Sequence, residues 1–202
     1  MTRAFGLTFD YRCPFACNVH LHVVAGLEAG ADWDVRWLPF SLNQPHVAEG
    51  EPSVFDDERH RSDLLAIAYA LVVRDRWPER FPAFHAEVFR ARHEGGLELR
   101  DPSALDEIAL RFGLSVDEIA DALGSQEPYE TFRREHFDAA DRLGVFGVPT
   151  FVFPDDAVFV RLMTRPGRGD DPKASRTAIE RILDLIEEQP ELNELKHTQI
   201  AR

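Results

Sequence analysis

The chain has 202 residues, 44% of them hydrophobic and 29% charged, with a formal net charge of −13. This is globular composition, long enough to bury a substantial core without disulfide support. The acidic balance repels phosphate backbones and anionic lipid, which argues against nucleic acid and membrane surfaces as partners, and no apolar run reaches the length of a membrane span.

The N-terminal stretch MTRAFGLTFDYR has neither the apolar core nor the small-residue cleavage site of a signal peptide. A cytoplasmic protein with thiols reduced at rest is expected. Residues 4–10, AFGLTFD, alternate in the manner of a strand, with Phe5, Leu7 and Phe9 on one face. A cysteine segment follows, and 18–30 reads as a helix closed by Gly30. Residues 33–40, WDVRWLPF, alternate again, completing a βαβ unit. The stretch 41–57, with Pro45, Gly50 and Pro52, reads as a loop.

A helical block of about eighty residues comes next by its 3.6-residue periodicity. Leu64, Ile67, Ala68, Leu71 and Val72 make one apolar face, and Phe81, Phe84, Val88 and Phe89 make another. A helix spans 101–113, SVDE at 115–118 is a capping box, and Phe132, His136, Ala139, Ala140 and Leu143 mark a further helix. Two strands are expected at 150–153 and 157–162 around a Pro-Asp-Asp turn, then a helix from about Ala174 to Glu188 and a polar tail. Strands at both ends of the chain imply one sheet with a helical insertion, divided as 1–44 with 144–202 against 45–143.

Both cysteines lie in FDYRCPFACNVH, residues 9–20. Cys13 follows a strand and opens a helix with Pro14 at a favoured first position. Free N–H groups at that end bind a thiolate, so the thiol pKa is expected to fall and Cys13 to act as a nucleophile. Cys17, four residues on, would lie about 6 Å away by helix geometry, within disulfide range. It reads either as a resolving thiol or as a packed neighbour. Cys13, Cys17 and His20 have helical spacing, but no second ligand pair stands out and no metal is expected. His20, His22 and His136 read as packing residues. Asp10, just upstream, could accept a proton or raise the thiol pKa.

Far downstream, GVPT at 147–150 puts a proline at a strand start, where a cis bond is well placed. With FDYRCPFAC and GVFGVPTFVF (144–153), the chain resembles the thioredoxin superfamily, and within it the DsbA-like group that includes 2-hydroxychromene-2-carboxylate isomerases and kappa-class glutathione transferases. The resemblance implies an α/β, thioredoxin-like fold with an inserted all-helical domain. It also implies Cys13 as nucleophile, Pro149 as cis-proline and Val148 as a backbone clamp. Pro14 and Phe15, together with Asn43 and His46 of the 41–52 loop beside Gln44, are expected to contact substrate. Ala16 stands where such proteins carry the resolving cysteine, which fits members that work with one thiol and with glutathione or mycothiol as co-substrate, none being held as a bound cofactor. The isomerase and transferase relatives usually carry serine at the nucleophile position. The activity implied is thiol–disulfide exchange on a protein or small-thiol disulfide. A thiol-dependent transferase, isomerase or reductase acting on a small hydrophobic electrophile, with its pocket in the helical block, stands as the alternative, as does a non-catalytic peptide-binding or redox-sensing module. A homodimer is compatible with the group.

Overall fold

The structure, a computed structural model, describes residues 2–197 and 199; the last residues of the polar tail lie outside this range. The mixed α/β class is as expected. A four-stranded sheet has the order β2-β1-β3-β4. Strands β1 (Arg3–Phe9) and β2 (Trp33–Pro39) are parallel, joined by helix α1 (Pro14–Glu28). Strands β3 (Thr150–Val152) and β4 (Ala157–Phe159) form an antiparallel hairpin whose first strand runs antiparallel to β1. Between β2 and β3 come α2 (Arg61–Arg76), α3 (Phe81–Gly95), α4 (Pro102–Arg111), α5 (Val116–Gly124) and α6 (Glu127–Leu143), and α7 (Pro172–Glu188) closes the fold. No helix among the described residues is long and apolar enough to cross a membrane.

Local chemistry sets the element boundaries. Helix α1 begins at Pro14, four residues before the sequence expectation, because Cys13 serves as its N-cap. It ends before Gly30, whose φ of +75° is the left-handed value that favours glycine. Within α1, Gly26 has no substitute, since a Cβ there would sit 2.4 Å from the Trp33 indole. Asp171 caps α7 by accepting from the Lys173 N–H at 3.0 Å, so this helix starts two residues earlier than expected. Strand β4 stops at Phe159 rather than 162 because its partner runs out. Val160 N–H still reaches the Pro149 carbonyl at 3.2 Å, but proline has no N–H to return. The stretch beyond it is held by side chains instead: Asn18 donates to the Leu162 carbonyl at 2.8 Å and Arg90 to that of Pro166 at 3.3 Å.

Buried apolar side chains of the sheet and of α1–α7 form one continuous cluster. Helix α1 packs against α3 and α7, and α2 against α6. Arg74 of α2 ties three elements by a two-pronged contact with Glu135 of α6 (2.7 and 2.8 Å) and a bond to the Trp37 carbonyl of β2 (2.9 Å).

A polar chain runs through this apolar core. The Thr8 carbonyl lies 3.0 Å from His20 Nε2, His20 Nδ1 lies 2.9 Å from His85 Nε2, and His85 Nδ1 lies 2.7 Å from the Tyr11 hydroxyl. A carbonyl can only accept, so His20 carries its proton on Nε2 and accepts at Nδ1. His85 must then donate from Nε2 and accept at Nδ1, and Tyr11 must donate. Tyr11, His20 and His85 are all fully buried. Burial pushes His20 down to about 3 against the Thr8 bond, and burial together with His20 holds His85 well below its ordinary value. His136, packed on Phe40, accepts from the Ser41 N–H at 3.2 Å and is lowered by burial to about 4.

These histidines take up protons in the unfolded chain at a higher pH than in the folded one. Stability is therefore present above about pH 6.5 and is lost as pH falls through 6.5 toward 4 and below, by up to about 1.4 kcal/mol per pH unit for each histidine inside its window. Urea midpoints measured from pH 7 to pH 4 should fall steeply, and less steeply in His136→Gln. Tyr11→Phe, which strips the only donor from His85 Nδ1, should cost about 1–3 kcal/mol at pH 7.

Candidate active site

The C-terminal end of β1, an interior strand, delivers residues 10–13 to one end of the sheet, where the 147–150 segment meets them. The hydroxyl of Thr8 accepts from the Thr150 N–H at 2.8 Å and donates to the Gly147 carbonyl at 3.3 Å, and the Thr150 hydroxyl donates to the same carbonyl at 2.9 Å. These bonds pin the segment whose Val148–Pro149 peptide is cis. Thr8 carries no motif signal, sitting at a polar position in an otherwise apolar strand, and sequence reading missed it.

Cys13 faces that segment. Its thiol lies 3.5 Å from the Val148 carbonyl and its Sγ accepts from the Ala16 N–H at 3.5 Å. Pro14 is exposed beside it, and Phe15 is half-buried under the Arg161 guanidinium, 5.1 Å from the ring centre. Arg161 also lies over Phe159 at 5.7 Å. A groove of about 1360 Å³ runs from Phe15 past Phe146, Phe159, Arg161 and Met163 to Leu195 of the tail.

The expected fall in the Cys13 pKa does not occur. The thiol is 8% exposed, and burial pushes it above its ordinary value, with Asp10 adding to the rise. The N–H groups of Ala16 and Phe15 and the charge of Arg161 act in the lowering direction without overcoming it. The helix-end donors are present as the sequence implied; desolvation of the charged form outweighs them.

Cys17 occupies different ground. As N-cap, Cys13 has an extended ψ of 118°, outside the helix proper, and its sulfur meets the 147–150 segment at the Val148 carbonyl. Cys17 lies inside the helix, fully buried, its sulfur 4.0 Å from the Phe89 carbonyl oxygen and 3.8 Å from Arg165 Nη1. Burial, opposed by Arg165, raises it to about 11. Both cysteines are free.

The 41–57 loop starts at the site but turns away. Leu42 N–H donates to Asp10 Oδ2 at 3.0 Å, whereas the Asn43 amide reaches Asp63 of α2 at 3.4 Å and the Gln44 side-chain Oε1 accepts from the Ser53 hydroxyl and the Val54 N–H of its own loop. His46 is exposed. Asn43 and His46 line a shallow depression of about 380 Å³ with Val47, Glu51 and His60 that includes neither Cys13 nor Pro149. His20 and His136 are core residues, and His22 bonds Ser175 of α7 at 2.9 Å. No group of three or more histidine, cysteine or acidic residues suited to a metal ion occurs among the described residues.

The arrangement places one thiol beside the Val148 carbonyl, with an aromatic-walled groove and the Arg161 cation beginning at the neighbouring Phe15. In native protein, iodoacetamide should modify Cys13 more slowly at pH 7 than it modifies free cysteine, with the rate climbing above the ordinary thiol range, and should spare Cys17 until the chain is denatured. Arg161→Gln should slow Cys13 further at pH 7.

Comparison with known proteins gives a match to the model of the DSBA-like thioredoxin domain over residues 7–164. No match to a curated protein was found. Among solved structures, the chain is similar to the cytosolic disulfide reductase DsbM from Pseudomonas aeruginosa, solved with GSH, at 21% identity over 90% of this chain and 100% of that one, with a TM-score of 0.58. It is similar to a 2-hydroxychromene-2-carboxylate isomerase at 17% identity over 92% and 98%, TM-score 0.59, and to reduced DsbA1 from Neisseria meningitidis at 15% over 93% and 86%, TM-score 0.53.

Proposed function

The chain belongs to the DSBA-like thioredoxin domain family, and from that premise we propose that it is a monothiol disulfide oxidoreductase with Cys13 as its nucleophile. The observation that carries the reading is the placement of Cys13 Sγ, 3.5 Å from the Val148 carbonyl that precedes Pro149, while Cys17 points into the core. The Cys13 thiolate attacks one sulfur of a disulfide. A Cys13–substrate disulfide forms, the substrate S–S bond breaks, and the departing sulfur leaves as a thiolate that takes up a proton. A small thiol such as glutathione or mycothiol then attacks the mixed disulfide, frees Cys13 and leaves with the substrate sulfur.

Burial of Cys13 favours electron flow toward the substrate. Strong oxidants of this chemistry owe their potential to a stabilised thiolate, and here burial and Asp10 oppose the thiolate. A cytoplasmic setting supplies the small thiol. The groove beyond Phe15 supports a second reading, in which the bound small thiol is transferred to, or assists rearrangement of, a hydrophobic electrophile stacked on Phe146 and Phe159.

Cys13→Ser should abolish reduction of a mixed disulfide, and Cys17→Ser should retain at least about half of it. Mass detection during redox titration should find one small-thiol adduct on Cys13. Loss of two hydrogens in an intramolecular bond would replace the monothiol reading with a dithiol one, and undiminished turnover by Cys13→Ser would remove the thiol mechanism.

A further inference from the structure

Asp10 stands at the junction between β1 and the turn into Cys13, and hydrogen bonds from Arg12, Leu42 and Cys13 converge on it. Its side chain is 1% exposed. Oδ1 accepts from the Arg12 N–H at 3.0 Å and from Arg12 Nε at 2.9 Å. Oδ2 accepts from Arg12 Nη2 at 2.5 Å and from the Leu42 N–H at 3.0 Å. Its own carbonyl accepts the Cys13 N–H at 3.0 Å. The residue thus closes the 10–13 turn twice, once through its backbone and once through its side chain, and it fastens that turn to the chain leaving β2.

A carboxylate this deep is costly unless its charge is answered, and a bare one next to a nucleophilic sulfur would suppress the thiolate. Arg12 answers it through a two-pronged contact. The other charged and titratable groups in range are Asp63 of α2, which acts on Arg12, His136 of α6, which faces Asp10, and Arg161, which acts on Cys13 from the groove side. No other acidic group ranks among the main influences on Cys13.

We propose that Asp10 and Arg12 form a positioning pair for Cys13: the carboxylate builds the turn that presents the sulfur to the Val148 carbonyl, and the guanidinium cancels the charge that building the turn leaves beside the sulfur. A positioning role in exchange rests on the thiol reading given above, but the effect on the sulfur does not require it. The two halves of the pair therefore act on Cys13 in opposite directions. Asp10→Asn keeps an acceptor for the Arg12 N–H and removes the charge. Arg12→Gln keeps the carboxylate and removes its partner.

The experiment is the rate of iodoacetamide modification of Cys13 against pH, read by mass in the full chain, with circular dichroism as the check on folding. The expected result is a profile displaced to lower pH in Asp10→Asn and to higher pH in Arg12→Gln, each by about half a unit, or about threefold in thiolate at fixed pH. Arg12→Lys, which restores the charge, should return most of the way to the parent profile. Should Asp10→Asn fail to fold, the Arg12→Gln and Arg12→Lys pair decides the matter alone. Displacement of both variants in the same direction, coincidence of all profiles, or a Lys variant no different from the Gln variant would overturn the proposal. If the opposite displacements appear while the parent reduces no disulfide, the exchange reading fails and this one stands. If the parent reduces disulfides but the profiles coincide, only this one fails.

Discussion

Four groups in a row, the Thr8 carbonyl, His20, His85 and the Tyr11 hydroxyl, determine how the rest of the molecule can be arranged. They come from β1, α1, α3 and the turn before Cys13. Each is buried, so each must be satisfied from within. Because the chain ends on a carbonyl, every proton in it points one way, and no member can be replaced or recharged without orphaning the next. Aromatic rings from several elements surround it, with Phe9, Trp37 and Phe81 all about 5 Å from His85 by ring centres. An apolar core fixes volume and is tolerant of sliding; a directional polar chain inside it fixes register. Here the register matters because Tyr11 lies two residues from Cys13 and Thr8 also holds the 147–150 segment through its hydroxyl.

Opposed influences act on the Cys13 sulfur. A helix end supplies N–H donors, as it must wherever a cysteine caps a helix. Burial and a neighbouring carboxylate work against them. The same burial that holds the thiol at the Val148 carbonyl thus makes its charged form less favourable, and the site gains presentation at the expense of acidity. Cys17 shows the other limit: deeper, without a capping role, and with one guanidinium against its sulfur.

Much of this was readable in the residues. The βαβ start, the helical block and the terminal hairpin follow from periodicity and from punctuation by proline and glycine, whereas the meeting of Cys13-Pro14 with Val148-Pro149 was implied by the resemblance to the DsbA-like group. What local pattern left out shares one cause. The burial that raises the Cys13 thiol is set by the whole fold, the partner of His20 is 65 residues away, and the Asn43 amide bonds Asp63 of α2. Local pattern reveals which face of an element is apolar. It does not reveal what will press on that face, nor which polar side chain will find a distant mate. Arg161 is the clearest case, an exposed arginine past a short strand whose position over Phe15 no spacing rule would predict.

The sheet has two edge strands, β2 and β4, and each is blunted in its own way. On one side β4 offers only three residues, preceded by Asp155 and Asp156 and followed, after Val160, by the bulk and charge of Arg161. On the other, β2 is seven residues long but carries exposed Asp34 and Arg36 and ends at Pro39, which has no N–H to give. Short length, charge and proline are the means by which natural sheets refuse an additional strand. An unpaired strand from another chain, or from a second copy of this one, therefore finds little on either side of the sheet to pair with, which guards the fold against edge-to-edge aggregation.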